Sequence, residues 1–109
     1  MLELILPYIS TVMTYLYAIR DSLSGYIKIG YSSDPEGRKR ELQTGCAGSL
    51  ELIHKESVAE SSARLLESGL HRELNHLRVR GEWFRCDESF VRSAIVHHII
   101  RWGNGLDEC

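Results

Sequence analysis

Met13-Thr14-Tyr15-Leu16-Tyr17-Ala18-Ile19-Arg20 and Tyr26-Ile27-Lys28-Ile29-Gly30-Tyr31, joined by Asp21-Ser22-Leu23-Ser24-Gly25, decide how this chain folds. Both flanks are rich in aromatic and β-branched residues, and the segment between them is turn chemistry, so together they read as a β-hairpin. Side chains alternate across a strand, which gathers Leu16, Ala18, Ile27 and Ile29 on one apolar face. Tyr15, Tyr17, Tyr26, Lys28 and Gly30 fall on the other. If Arg20 pairs with Gly25 across a four-residue loop, Tyr17 lies opposite Lys28 and Tyr15 opposite Gly30. A slip of one residue would turn Lys28 into the apolar face, where an unpaired charge is costly, so one alternation is strongly preferred.

Downstream, Asp34 can cap a helix whose first position is Pro35 and whose last turn precedes Gly45, giving a helix over 35–44. Residues 50–55, LELIHK, read as a third strand. Ser57-Val58-Ala59-Glu60 has the form of a capping box, and Ala63, Leu66, Leu70, Leu74 and Leu77 recur at helical spacing, which predicts a long amphipathic helix over 58–77. A basic turn, RVRG, and a short extended segment, EWFRC, follow. Asp87 then opens a last helix with the stripe Phe90, Val91, Ala94, Ile95, His98, Ile99 and Trp102, closed by Gly103. The order ββαβαα predicts an α+β fold, a three-stranded antiparallel sheet with flanking helices over 13–103. An N-terminal arm over 1–12, read as an amphipathic segment covering a core edge, and a tail over 104–109 complete the chain.

One fold must carry the function, because 109 residues hold one domain. An apolar fraction of 43% with 26% charged residues excludes a disordered or low-complexity chain. Thirteen basic against fifteen acidic residues exclude a polybasic coat for nucleic acid, so any such contact is local. Cys46, Cys86 and Cys109 form no CxxC pair and suit a reducing, cytoplasmic setting. The apolar start carries Glu3 and Pro7 in place of a basic leader, so neither a signal peptide nor a membrane anchor is expected.

Arg38, Lys39 and Arg40 cluster just after the hairpin, close to where Tyr17 and Lys28 share a strand face. Tyr15-Leu16-Tyr17, then Lys28-Ile29-Gly30, then Arg38 resembles the GIY-YIG nuclease motif and its helix arginine. The likeness continues through Tyr31-Ser32, Asp34-Pro35, Leu42-Gln43-Thr44-Gly45, Glu67, Leu70-His71 and Gly81-Glu82-Trp83-Phe84, covering about residues 14–87. This ordered set resembles the compact branch named after a meiotically up-regulated gene and a phage open reading frame. Tyr15 stands where the motif begins with Gly, Lys28 stands where the second motif begins with Tyr, and no counterpart of the late asparagine of larger members is found.

The resemblance implies a metal-dependent DNA endonuclease. Tyr17 matches the tyrosine at or near the general base, Arg38 the arginine on the scissile phosphate, and Glu67 the glutamate that holds one Mg²⁺ or Mn²⁺; Lys28 and His71 complete the expected catalytic set. Nearby cations such as Lys28 and Arg38 are expected to favour the Tyr17 phenolate. Independently of the family, Arg64, Glu67, His71 and Arg78 form a polar stripe beside the leucine face, which also suits paired surface charges. Arg78, Arg80 and Arg85 are candidate phosphate contacts or simply solvated arginines, and Trp83 and Phe84 are read as core anchors in preference to base-stacking groups. His97 and His98 read as core or surface residues of the last helix. The expected partner is DNA, with a homodimer or a DNA-binding partner protein needed for double-strand breaks. The other readings are a DNA-binding or partner-binding module that keeps the fold without turnover.

Overall fold

A computed structural model describes residues 12–103, so the expected arm and tail lie outside it apart from Val12. Strands β1 (Met13–Asp21) and β2 (Ile27–Ser32) form the expected antiparallel hairpin, but with Tyr17 opposite Gly30 and Lys28 opposite Ile19. The register thus differs by two residues from the expected one. A two-residue shift leaves the faces unchanged, so the alternation stands while the cross-strand partners change. The turn explains the shift. Asp21 extends β1 by donating to the Tyr26 carbonyl at 3.0 Å, and its carboxylate accepts from Leu23 N and Ser24 Oγ. Gly25, at φ 77°, is part of the turn and cannot pair as a strand residue.

Helix α1 (Pro35–Gln43) starts as expected, the Asp34 side chain accepting from Gly37 N at 3.0 Å. Strand β3 (Leu50–Ala59) runs four residues further than expected, because Ser57 and Val58 pair with Tyr15 and Thr14 of β1. The capping box is therefore not formed, and α2 (Glu60–Glu73) begins after Ala59 without a side-chain cap. Ladder bonds to β1 outcompete a cap at Ser57. Beyond α2, a 3₁₀ turn at Asn75–Leu77 carries the leucine stripe onward in place of further α-helix.

The sheet has five strands, not three. Arg78–Arg80 (β4) and Trp83–Phe84 (β5) form a small hairpin around Gly81, at φ 57°, and the antiparallel order is β3-β1-β2-β5-β4. Both strands are too short for a period-two pattern to show. They are held by pairing of Ile27 with Phe84 and of Lys28 with Trp83. Helix α3 (Glu88–Trp102) starts at Asp87, which accepts from Phe90 N at 2.8 Å.

The main core lies between one sheet face and the two long helices. Leu16, Ala18, Ile27 and Ile29 meet Ala63, Leu66 and Leu70 of α2, Val91 and Ile95 of α3, and Phe84. Each large apolar side chain buried there stabilises the fold by roughly 1.5–3 kcal/mol. Phe90 and Trp102, at the ends of the predicted stripe, are exposed. The buried His98 pairs through Nδ1 with Glu73 at 3.0 Å, and a Cβ on Gly69 would come within 3.0 Å of its Nε2. On the opposite face Tyr17, Ile19 and Leu50 form a smaller cluster beneath Leu42, Cys46 and Trp83. Among the described residues no helix is long and apolar enough to cross a membrane.

Candidate functional site

The site forms where β2 runs out of strand partners. Strand β5 covers β2 at Ile27 and Lys28, and the Glu82 carbonyl accepts from Ile29 N at 3.0 Å. Beyond that point the edge is completed by side chains of α2. His71 Nε2 lies 2.8 Å from the Ile29 carbonyl oxygen, and Glu67 accepts from the Tyr31 N–H. Two polar residues one helical turn apart thus close two backbone groups two residues apart on a strand edge. That edge bond requires His71 Nε2 to carry the proton, and burial lowers the pKa of the ring, which keeps it neutral. The ring packs on Phe84, with 5.1 Å between centroids.

Tyr17 approaches the same point from the other sheet face. It is almost wholly buried, and its hydroxyl occupies the space above Gly30: a Cβ there would lie 2.6 Å from Tyr17 Oη. Gly30, the last residue of the KIG tripeptide, is required for this close approach. Arg38, exposed on α1, hydrogen-bonds the Tyr17 hydroxyl and pairs with Glu41 at 3.0 Å. Burial nevertheless holds the Tyr17 pKa above its ordinary value of 10.0; Arg38 works against this, while Glu82 and Glu67 add to it. The expectation of a favoured phenolate is thereby corrected. Desolvation outweighs the one cation that reaches the hydroxyl.

The other expected cation, Lys28, has a partner of its own. Its Nζ is 2.7 Å from Glu82 Oε1 and 5.9 Å from the centre of the Trp83 ring, with only 9% of the side chain exposed. Glu82 raises the Glu67 carboxyl as well, and together with burial, the larger cause, it brings Glu67 to about 7 against the pull of Lys28. Sequence reasoning missed Glu82 as a site residue. Its signal was available only through the register, because the residue after it pairs with Lys28.

Tyr17, Lys28, Arg38, Glu67 and His71 are thus brought together around Gly30, and Glu82 joins them. The first half of the chain supplies the phenol and the cations, the second half the carboxylates and the imidazole. Of the three arginines expected on phosphate besides Arg38, Arg78 has its guanidinium on Asn75 Oδ1 at 2.9 Å, the His71 carbonyl at 3.3 Å and the Gly81 carbonyl. Arg85 donates to Tyr26 Oη at 3.0 Å, and Arg80 is exposed on the outermost strand.

A divalent cation fits this donor set. Mg²⁺ typically takes one or two carboxylates, with water and phosphate completing its shell. Burial and then the nearby Glu82 carboxylate raise the proton affinity of Glu67, and such an ion would relieve the repulsion between the two charges. Among the described residues no group of three or more His, Cys, Asp or Glu side chains converges for a metal, so a fully protein-built cage is not offered.

Compared with known protein families, residues 14–102 match the family described as T5orf172 domain. No curated protein and no solved structure matches the chain.

Proposed function

The chain belongs to the T5orf172 domain family, a nuclease-type domain, and from that premise we propose that it is a metal-dependent DNA endonuclease of the GIY-YIG type. The observation that carries this reading is the convergence, at one strand edge, of a buried phenol, an exposed arginine and a carboxylate with raised proton affinity. Arg38 offers forked donors to two oxygens of a phosphate lying across α1. Tyr17, protonated at rest, orients the attacking water with its hydroxyl, and it gives up its own proton only when more positive charge faces it than Arg38 provides. Lys28, turned toward the same face, neutralises charge gathering on the phosphoryl oxygens while Glu82 fixes its ammonium. His71 holds the edge that positions Glu67. Glu67 would hold Mg²⁺ or Mn²⁺ with Glu82 beside it; when bound, such an ion stabilises charge on the phosphate and assists the departing oxygen.

Purified protein mixed with supercoiled plasmid and Mg²⁺ should convert it to the open-circular form, and EDTA should stop the conversion. Retarded migration of DNA without breakage would favour the second reading, a binding module without turnover. That reading draws its support from the protonated Tyr17 and from the pairing that already occupies Lys28.

A further inference from the structure

Beside the site, on the sheet face that carries Tyr17, is a recess of about 430 Å³ that the reaction described above does not use. Its lining includes Asp21, Tyr26, Cys46, Val79, Arg80 and Trp83. The volume falls within the roughly 300–1,000 Å³ of small-ligand pockets. Two aromatic residues, Tyr26 just before β2 and Trp83 of β5, line this space, and both rings have a cation on them already. Lys28 lies 5.9 Å from the Trp83 ring centre, and the Arg85 guanidinium lies 5.5 Å from that of Tyr26. Trp83 is therefore shared, touching the catalytic lysine and lining the recess.

We propose that this recess receives an unstacked nucleobase of the DNA strand, one flanking the phosphate at Arg38, with Tyr26 and Trp83 as its stacking walls. The proposal rests on the endonuclease reading and narrows its substrate to DNA with a single-stranded or distorted stretch. Three features favour a base over another planar ligand. Aromatic side chains stack any base, whatever its identity. The exposed Arg80 offers a cation for the backbone of the same nucleotide. Asp21 and Cys46 also line the recess, so its wall is not wholly apolar where an inserted base presents its polar edge. A regular duplex keeps its bases stacked and cannot fill such a recess without extruding one, at a cost of a few kcal/mol. Preference for an already open strand follows directly.

The test uses binding in EDTA, so that it does not depend on cleavage. In a Trp102→Phe background Trp83 is the remaining tryptophan. An eight-nucleotide oligothymidylate should quench its emission, and the affinity for it should exceed that for a blunt duplex of equal length. Tyr26→Leu, which leaves Trp83 in place, should weaken oligothymidylate binding about ten-fold and change duplex binding less than two-fold; stacking of roughly 1–3 kcal/mol per base sets this scale. DNA binding by either probe with unaltered Trp83 emission and no effect of Tyr26→Leu would overturn the recess while leaving the endonuclease reading intact. No binding of either probe would overturn both. Quenching by free thymidine monophosphate equal to that by the oligonucleotide would also overturn the proposal, since the recess would then be a nucleotide pocket unconnected to a strand.

Discussion

Gly30 and Tyr17 share one volume, and the hydroxyl takes the place a methyl group would need. Gly30→Ala should cost about 1–3 kcal/mol in urea denaturation, as overpacking does, and lower plasmid nicking at least ten-fold by displacing the phenol. Tyr17→Phe keeps the ring, so its stability should stay within about 1 kcal/mol while nicking falls by roughly 10²–10⁴. Glu67 links activity to pH. Its carboxyl sits at about 7 in the folded chain against an ordinary 4.5, so folding favours the protonated form. In the metal-free protein the contribution of Glu67 to stability should thus be fully present below pH 4.5 and lost as pH rises through about 7. Glu67→Gln, whose amide still accepts from Tyr31, should therefore melt higher than the native sequence at pH 8 in EDTA, melt alike at pH 4, and cleave nothing. A lower melting temperature at pH 8 would count against the buried-carboxylate account. By the same linkage, Mg²⁺ should raise the melting temperature of the native sequence more at pH 8 than at pH 5, since a proton competes for the carboxylate at the lower value.

At the level of elements, the β4–β5 hairpin joins the sheet to the site, and Arg78 is its clasp. Bonds to the Asn75 side chain and to the His71 and Gly81 carbonyls, with the guanidinium 5.0 Å from the Phe84 ring centre, tie α2, the 3₁₀ turn and the hairpin together. Arg78→Met should therefore lower stability by about 1–3 kcal/mol in denaturation. It should leave the salt dependence of DNA binding unchanged, whereas Arg38→Met should make it shallower by one phosphate contact. The hairpin of β1 and β2, the capped start of α1 and the buried face of α2 were legible, because alternation, Asp34-Pro35 and leucine spacing each follow from local geometry. The register was not, since it depended on whether Gly25 lay in the strand or the turn. Nor was the end of β3, where Ser57 had two uses and long-range pairing with Tyr15 decided between them. Strands of two or three residues carry no period, so β4 and β5 became visible only through the partners they found.

Across the whole molecule the net charge is −2, so the proposed DNA substrate would have to be held by a few placed cations in place of a general positive field. With Arg38, Arg80, Arg85 and Lys28 facing phosphate, the logarithm of affinity should fall against the logarithm of salt with a slope of roughly −3 to −4, measurable by anisotropy titration. That Tyr17, Lys28, Arg38, Glu67 and His71 gather at one place was legible, since they stand in an ordered motif. The electrostatics of the site were not: Glu82 acts on Tyr17, Glu67 and His71 at once, and only the fold brings residue 82 next to residue 28. The division of the site between the two halves of the chain also matters to a cell making the protein. During synthesis the tyrosine, lysine and arginine leave the ribosome well before either carboxylate, and the strand edge is closed only when β5 has emerged. A chain cut short before residue 82 carries the tyrosine and the cations but lacks Glu82, the strand that covers β2, and Phe84, Val91 and Ile95 of the main core. On the proposed reading, therefore, only finished copies of the chain would cut DNA.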